Sequence, residues 1–264
     1  MVKRLYKYLR GTYLGFLLVL LYSPIAVMIV LSFNESKTRS KWGGFSFKWY
    51  KELIFESPDI IEALKLTLAV AILATVISVI LGTLGAIGIH AAKKGYAAAL
   101  INLSYLPMTM PDIVTGVSLM LMFVFVNGFI SLPRGFWTML IAHITFDTPY
   151  VLFSVMPKLK QMNPNTYEAA LDLGCKPLRA LTKVIIPEIR PGIVTGGLLA
   201  FTMSLDDFVI SFFTSEQNNL SMLVYAAAKR GVKPNIYALS TIMFIVILIL
   251  LIIINKRSDL ENIS

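Results

Sequence analysis

Four carboxylates lie inside stretches of sequence that are otherwise apolar: Asp112, Asp147, Asp206 and Asp207. An ionisable side chain at the centre of a bilayer costs about 2.5–3.5 kcal/mol even on lenient insertion scales, so such residues usually face a bundle interior or a water-filled path. No basic residue lies at a matching depth, so ion pairs within the chain cannot neutralise all four acids. The sequence therefore predicts a net negative path, whose natural complement is a polycation.

Asp112 stands at a predicted helix break. It directly follows Pro111, and Pro107 lies one turn earlier in the same apolar run. Broken helices near the middle of a membrane often build substrate sites, which is the functional interpretation of Asp112. The structural alternative is that its carboxylate caps the half-helix that follows. The sequence leaves both roles open.

The other three acids are predicted to lie on regular helices. Asp206 and Asp207 are neighbours and would project about 100° apart, so that one faces the path and the other a neighbouring helix. Ser204 lies nearby as a hydrogen-bond donor or acceptor. Asp147 follows His143 by four residues on one helical face, which favours a structural hydrogen bond between the two.

Trp49 is a candidate binding residue in the polar segment that follows the first apolar run. Its ring could offer a cation–π face to an incoming ammonium group. The alternative is that the indole anchors the chain at the membrane interface, where tryptophan is enriched. The polar segment also holds five acidic residues close together, which are Glu35, Glu52, Glu56, Asp59 and Glu62.

A second constellation occupies the polar stretch of about 157–191, which reads as two short helices. Asn165 followed by Glu168 predicts a capping box at the start of the first helix. Gly174 suits the left-handed residue that ends it. The second helix is expected to stop before Pro187, since a residue before proline disfavours the helical conformation.

This stretch resembles the EAA loop of ABC importer permeases, in which the loop is a coupling helix that docks on the ATPase subunit. The matching positions are Glu168, Ala169, Ala170, Gly174, Val184, Ile186 and Pro187. An amphipathic helix pair lying on the membrane surface is the first alternative. A DNA-reading helix-turn-helix is the second, and the apolar runs on both sides argue against it.

The resemblance narrows to the permease subunits of spermidine/putrescine importers of the PotC type, over nearly the whole chain. It rests on the segments 111–114, 143–146 and 204–211. In that family, the positions associated with polyamine passage correspond to Asp112, Asp206, Asp207, Ser204 and Trp49. The resemblance also implies a second similar permease chain, two ATPase subunits and an extracytoplasmic binding protein. Permeases for iron, thiamine or phosphonates share parts of the pattern.

Composition agrees with a membrane protein. Of the 264 residues, 56% are hydrophobic and 15% charged, with a mean hydropathy of +0.73. The first apolar run is interpreted as a retained span and not a cleaved signal peptide, because no small-residue cleavage site follows it. We predict an all-α chain forming a single permease domain, 1–264, with six spans of about 20 residues or more. Their approximate bounds are 12–33, 61–91, 97–126, 136–156, 193–213 and 236–254.

The charges predict orientation. The net charge is +9, and 14 of the 24 Lys and Arg residues lie on the side that holds both termini and the 157–191 stretch. The positive-inside rule places that side in the cytoplasm of a bacterial inner-membrane protein. The single cysteine, Cys175, excludes an internal disulfide and a multi-cysteine metal site.

The sequence lacks the features of a self-sufficient enzyme. It has no glycine-rich Lys-Ser/Thr phosphate loop, so no cofactor is expected on this chain, and ATP and Mg²⁺ would bind the ATPase partner. Its two histidines offer little for a catalytic triad or a metal-ligand cluster. The expected function is ATP-driven polyamine import, with membrane lipid and protein partners but no nucleic acid. The rivals are a proton-coupled polyamine or cation antiporter, whose acids relay protons, and a purely structural assembly subunit.

Overall fold

The computed structural model describes residues 2–38, 40–163 and 165–261, with side chains described between residues 11 and 249. Within these residues every regular element is helical, apart from one isolated antiparallel bridge between Asn34 and Phe45. The predicted all-α fold is confirmed.

Twelve α-helices and one π-helical turn follow one another along the described chain. They are α1 (Val2–Ser32), α2 (Lys48–Phe55), α3 (Pro58–Ala91), α4 (Lys94–Thr109), α5 (Asp112–Asn127), α6 (Phe136–Gln161), α7 (Thr166–Asp172), α8 (Pro177–Ala180), the π-turn (Leu181–Ile185), α9 (Ile186–Asp206), α10 (Val209–Thr214), α11 (Leu220–Arg230) and α12 (Pro234–Glu261).

Each predicted span coincides with helical structure, although 97–126 and 193–213 are each interrupted by a helix break. Four segments are long and apolar enough to cross a membrane by themselves: Gly11–Ser32, Pro58–Ala91, Phe136–Gln161 and Pro177–Asp206. A fifth span arises if α4 and α5 are counted together, although these two helices meet at an angle of 104°. The sixth predicted span lies on α12, in which Pro234–Ile249 is a shorter apolar stretch among the residues searched.

The chain folds as two compact units, of which the first comprises residues 1–61 and 224–264. In this unit, the described parts of α1 and α2 pack on α12. Asn34 organises the segment after α1, because its Oδ1 accepts hydrogen bonds from the Gly43 and Ser36 amides at 2.8 and 3.2 Å. Four aromatic rings cluster beside it, those of Phe33, Phe45, Phe47 and Tyr50.

The second unit, residues 62–223, is built around α6. Helices α4, α9 and α10 all pack against α6, and its buried side chains include Val151, Leu152 and Val155. Helix α3 approaches closely at Gly82, where an added Cβ would lie 2.7 Å from the Cβ of Val151. Small residues permit this backbone approach, which drives helix association in lipid.

Helix α9 differs from its predicted bounds at both ends. Pro187 does not end a helix, because a π-turn over Leu181–Ile185 precedes α9 and leaves the proline in the first turn, where its missing amide is not needed. The predicted span of 193–213 is also not continuous. Helix α9 ends at Asp206, Asp207 has an extended backbone with ψ of 124°, and α10 begins at Val209.

Candidate functional site

Two helix breaks carry three of the four membrane acids. The first break separates α4 from α5 at Met110 and Pro111, and the second separates α9 from α10 at Asp207 and Phe208. The half-helices α5 and α10 pack on each other so closely that an added Cβ at Gly116 would lie 2.9 Å from the Phe213 ring. Both breaks therefore lie at the starts of two packed half-helices.

Asp112 is the first residue of α5, and its side chain is exposed. The N-cap position belongs to Pro111, and no side chain caps this helix start. The carboxylate of Asp112 makes no hydrogen bond to any described residue, so the capping alternative is not what the structure displays. Pro107, in contrast, lies inside α4 and does not interrupt it.

Asp206 and Asp207 differ sharply although they are neighbours. Asp206 is the exposed last residue of α9. The carboxylate of Asp207 is turned into the start of α10, where it accepts hydrogen bonds from the Ile210 amide at 3.2 Å and from the Ser211 amide and hydroxyl at 2.8 Å each. The prediction that both acids lie on one regular helix is wrong, because these bonds to Asp207 stabilise a new helix start.

His143 joins the second break to α6. Its Nδ1 is hydrogen-bonded to the Ser204 hydroxyl in the last turn of α9, and its Nε2 lies 3.0 Å from the Ser211 hydroxyl in α10. Nε2 also lies 3.5 Å from Oδ2 of Asp207. On another side of the break, the Asn219 side chain donates to the carbonyl oxygen of Asp207 at 3.0 Å.

Asp147 does not bond to His143, so that prediction is wrong. Its side chain is 0% exposed and neither carboxylate oxygen has a hydrogen-bond partner among the described residues. The packing of α6 on α9 explains this. Small residues of α9 oppose α6, with Gly196 against Val151 and Ser204 against His143, so Asp147 is enclosed where these two helices pack.

Trp49 belongs to the first unit and is buried, with 1% of its surface exposed. Its indole N–H donates to the Asn34 carbonyl oxygen, and the ammonium nitrogen of Lys48 lies 5.3 Å from its ring centroid. In this conformation the ring is packed against its own unit and already has a cationic neighbour. An open cation–π face is therefore not what is observed.

In the 157–191 stretch, α7 is the predicted first short helix. The second is not short, because α8 continues through the π-turn into α9 as one helix, Pro177–Asp206. Gly174 has a φ of +82°, and the amides of Gly174 and Cys175 bond to the carbonyls of Leu171 and Ala170 at 2.9 and 3.1 Å. These are the two bonds of a Schellman motif, so the predicted left-handed helix end is confirmed.

The predicted capping box is absent. Asn165 occupies the N-cap position, but its backbone is helical, with φ of −84° and ψ of −7°, and its side chain caps nothing. Its amide already donates to Oδ1 of Asn163 at 3.0 Å, so Glu168 has no N-cap amide to accept from. Glu168 is consequently an exposed acid in the first turn of α7.

Four exposed residues of this stretch define what we term the coupling surface: Glu168, Ala169, Leu173 and Leu178. Leu173 is 87% exposed and Leu178 is 76% exposed, which is unusual for leucine side chains. The remaining positions of the motif lie around it: Ala170 is buried, Val184 and Ile186 are half-buried, and Gly174 and Pro187 are exposed.

Comparison with known proteins identifies the family to which the chain belongs. Residues 85–258 match the family described as binding-protein-dependent transport system inner membrane component. The chain belongs to this family of membrane permeases. The putrescine transport system permease protein PotI of Escherichia coli K12 is 38% identical to this permease over 239 residues, which cover 87% of this chain and 83% of PotI.

A second relative covers more of this permease. The spermidine/putrescine transport system permease protein PotC of Haemophilus influenzae is 36% identical over 248 residues, covering 93% and 95% of the two chains. Among solved structures, a bacterial ABC transporter that imports the acidic polysaccharide alginate has a TM-score of 0.69 at 20% identity, covering 97% of this permease and 94% of that chain. That likeness supports the type I ABC permease fold.

The predicted PotC-type resemblance is thus confirmed, and this permease is a multi-pass inner-membrane transport component. Sequence reasoning found the four acids, Ser204 and the 157–191 helices. It missed Ser211 and Asn219, which hold Asp207. The signal was present for Ser211, because an aspartate three and four residues before two amides is the spacing of a side-chain cap. Asn219 is distant in sequence and had no such signal.

Proposed function

We propose that this permease lines the path of an ATP-driven importer that carries polyamines, such as spermidine and putrescine, across the cytoplasmic membrane. The observation that carries the proposal is a pair of exposed acids, Asp112 and Asp206, at breaks within apolar helices. A polyamine presents ammonium groups separated by methylenes, so it matches acids set among apolar side chains. The names of the curated relatives support the same substrate class.

The five predicted path residues have different proposed roles. Asp112 and Asp206 bind ammonium groups through charge-assisted hydrogen bonds, which are the stronger kind. Asp207 and Ser204 shape the second break beside them, through the bonds described above. Trp49 supports the segment after α1, and its ring meets substrate only if that segment rearranges during transport.

The importer needs partners, because this chain has no nucleotide-binding sequence. We propose a second, similar permease chain, two ATPase subunits that bind ATP and Mg²⁺, and an extracytoplasmic binding protein that delivers the polyamine. The solved alginate transporter was described in complex with a periplasmic protein, which supports the last of these. The substrate path lies at the interface of the two permease chains.

The coupling surface is the proposed contact with the ATPase. Exposed leucines and an exposed acid on a short helix suit a groove with apolar walls and a basic rim. The excess of basic residues on this side of the chain supports a cytoplasmic location for the surface and both termini. Closure of the ATPase pair on ATP would draw the coupling surfaces together and rock the bundle between outward-facing and inward-facing states.

The test is uptake of labelled spermidine into proteoliposomes that contain this permease with its partners, with and without ATP. Spermidine uptake that needs ATP and that putrescine inhibits by competition supports both an ATP-driven importer and a polyamine substrate. Uptake driven by a proton gradient without ATP would show a proton-coupled antiporter instead. ATP hydrolysis that the binding protein stimulates without spermidine movement would leave an importer of another substrate, such as iron, thiamine or a phosphonate.

A charge reversal tests the coupling surface separately. Glu168→Lys is expected to abolish ATP-dependent uptake, because it places a cation where the ATPase groove meets the exposed acid. Asp59→Lys is the matched control, since Asp59 is also an exposed acid in the first turn of a helix, α3, and lies outside the 157–191 stretch. Normal ATPase association and uptake in Glu168→Lys would remove Glu168 from the contact.

A further inference from the structure

One buried side chain touches every part of the second helix break. The His143 ring reaches the last turn of α9 at Ser204, the carboxylate of Asp207 between the helices, and α10 at Ser211. Its own exposed surface is 1%. A ring in this position determines how the end of α9 and the start of α10 lie relative to α6. Asp206, which ends α9, is placed by the same contacts.

The hydrogen bonds fix the direction of each proton around the ring. The Asp207 carboxylate accepts from two backbone amides, so the Ser211 hydroxyl, 2.8 Å from Oδ2, is the donor to it. Because that hydroxyl has a single proton, its oxygen accepts from His143 Nε2, 3.0 Å away. A ring that donates from Nε2 in its neutral form accepts at Nδ1, so the Ser204 hydroxyl donates to Nδ1.

A neutral ring has a consequence for a cation path. It orients the Asp207 carboxylate through the Ser211 hydroxyl without cancelling its charge. Among the described charged groups near the ring, Asp207 and the buried Asp147 are both acids, and no lysine or arginine reaches the break. A neutral ring leaves the charge of the Asp207 carboxylate available to a polycation, whereas an arginine in the same position would neutralise it.

We propose that His143 is a positioning residue for transport, which holds the second break through Ser204, Ser211 and Asp207 so that the exposed Asp206 meets the substrate. The inference rests on the proposed polyamine function. The proposed role of His143 requires Asp207, because the ring acts on the break through Ser211, whose hydroxyl is bonded to the Asp207 carboxylate. A general packing role for His143 would not depend on Asp207.

The test is a double-mutant cycle in the complete importer, with spermidine uptake divided by the amount of assembled complex. Asp207→Ser removes the carboxylate near the ring but keeps a side chain that can cap α10. His143→Ala and Asp207→Ser are each expected to lower uptake about tenfold. Because the two residues share one set of bonds, the double variant should lie within about threefold of the worse single variant.

Two further variants keep the result interpretable. His143→Gln retains one hydrogen-bond donor and one acceptor, so it should recover at least half of the uptake lost in His143→Ala. If the His143→Ala importer does not assemble, His143→Gln takes its place in the double-mutant cycle. Ser78→Ala is the matched control, because Ser78 is equally buried and bonds α3 to the Ile144 carbonyl at 3.2 Å without touching the break. Its uptake per assembled complex should be unchanged.

Three outcomes would overturn the proposal. Effects that multiply to about a hundredfold in the double variant would show that His143 and Asp207 act independently. Full uptake per assembled complex in His143→Ala would show that the ring only helps folding. Absence of spermidine uptake by the unchanged importer would instead refute the polyamine function, and the role of His143 in it.

Discussion

The two helix breaks use their acids in opposite ways. At the first, Pro111 and the backbone make the break, and the carboxylate of Asp112 is left exposed without a hydrogen-bond partner among the described residues. At the second, no proline is present, and the carboxylate of Asp207 makes the break by accepting three hydrogen bonds from α10. One acid is therefore free to bind a ligand, and the other is committed to the fold.

This contrast separates the adjacent pair at the second break. Asp207 is committed to the fold, whereas Asp206, the residue before it, is as exposed as Asp112. Each break thus presents one exposed acid, Asp112 at the start of α5 and Asp206 at the end of α9, and the two half-helices that follow the breaks pack on each other. Two exposed acids at neighbouring breaks can meet two ammonium groups of one extended polycation.

The largest expected effect is that of Asp206→Asn. Loss of a hydrogen bond to a charged group costs about 1.5–3 kcal/mol, which corresponds to roughly a 10- to 100-fold loss of spermidine uptake. Assembly should be normal, because the side chain of Asp206 is exposed. Glu188→Gln is the control, since Glu188 is an exposed acid at the other end of α9. Unchanged uptake kinetics in Asp206→Asn would remove this acid from the path.

Asp112→Asn should lower uptake by about tenfold, the lower end of the same range. Its matched control is Asp59→Asn, because Asp59 is also an exposed acid in the first turn of a helix, α3. Both variants lose the same interaction with the helix dipole, about 0.3–1 kcal/mol. If both lowered uptake equally, the effect of Asp112 would be structural.

Asp147→Leu tests the buried acid, which is neither exposed to a ligand nor bonded to a helix start. A buried carboxylate without a partner costs about 1–3 kcal/mol, so the apolar variant should raise the thermal midpoint of the purified permease complex. Asp147→Asn should raise it less, since the amide is polar and equally unpartnered. A lower midpoint in both variants would reveal a hydrogen bond to His143 that the structure lacks.

The smallest expected effect concerns the committed acid. Asp207→Ala should destabilise the complex by about 0.5–2 kcal/mol, the usual cost of a lost side-chain cap. Asp112→Ala should destabilise the complex only by the lost interaction with the helix dipole, because the side chain of Asp112 does not cap α5. Thermal unfolding of the two variants side by side measures the difference. Equal destabilisation would mean that the two breaks are built alike.

The sequence predicts the first break and not the second for a physical reason. Pro111 acts locally, since proline disfavours a helical residue before it and cannot donate to the preceding turn. The segment 204–211 has no proline or glycine. It breaks because the Asp207 carboxylate and distant residues, His143 and Asn219, form hydrogen bonds that only the tertiary structure brings together.

The same limit applies at the coupling surface. Gly174 was predictable, because the left-handed conformation is a local property of glycine. The absence of the capping box was not predictable. The Asn165 amide instead donates to Oδ1 of Asn163, and this bond depends on how the chain leaves α6. Pro187 was misjudged because the π-turn that precedes it has no simple sequence signal.

The most direct test of the account is a structure of the assembled importer, stalled before ATP hydrolysis with spermidine enclosed. The account predicts spermidine ammonium nitrogens about 2.7–3.2 Å from carboxylate oxygens of Asp112 and Asp206, with Asp207 still bonded to Ser211. Spermidine bound to Asp207 with its bonds to α10 broken, or bound away from all three acids, would contradict it.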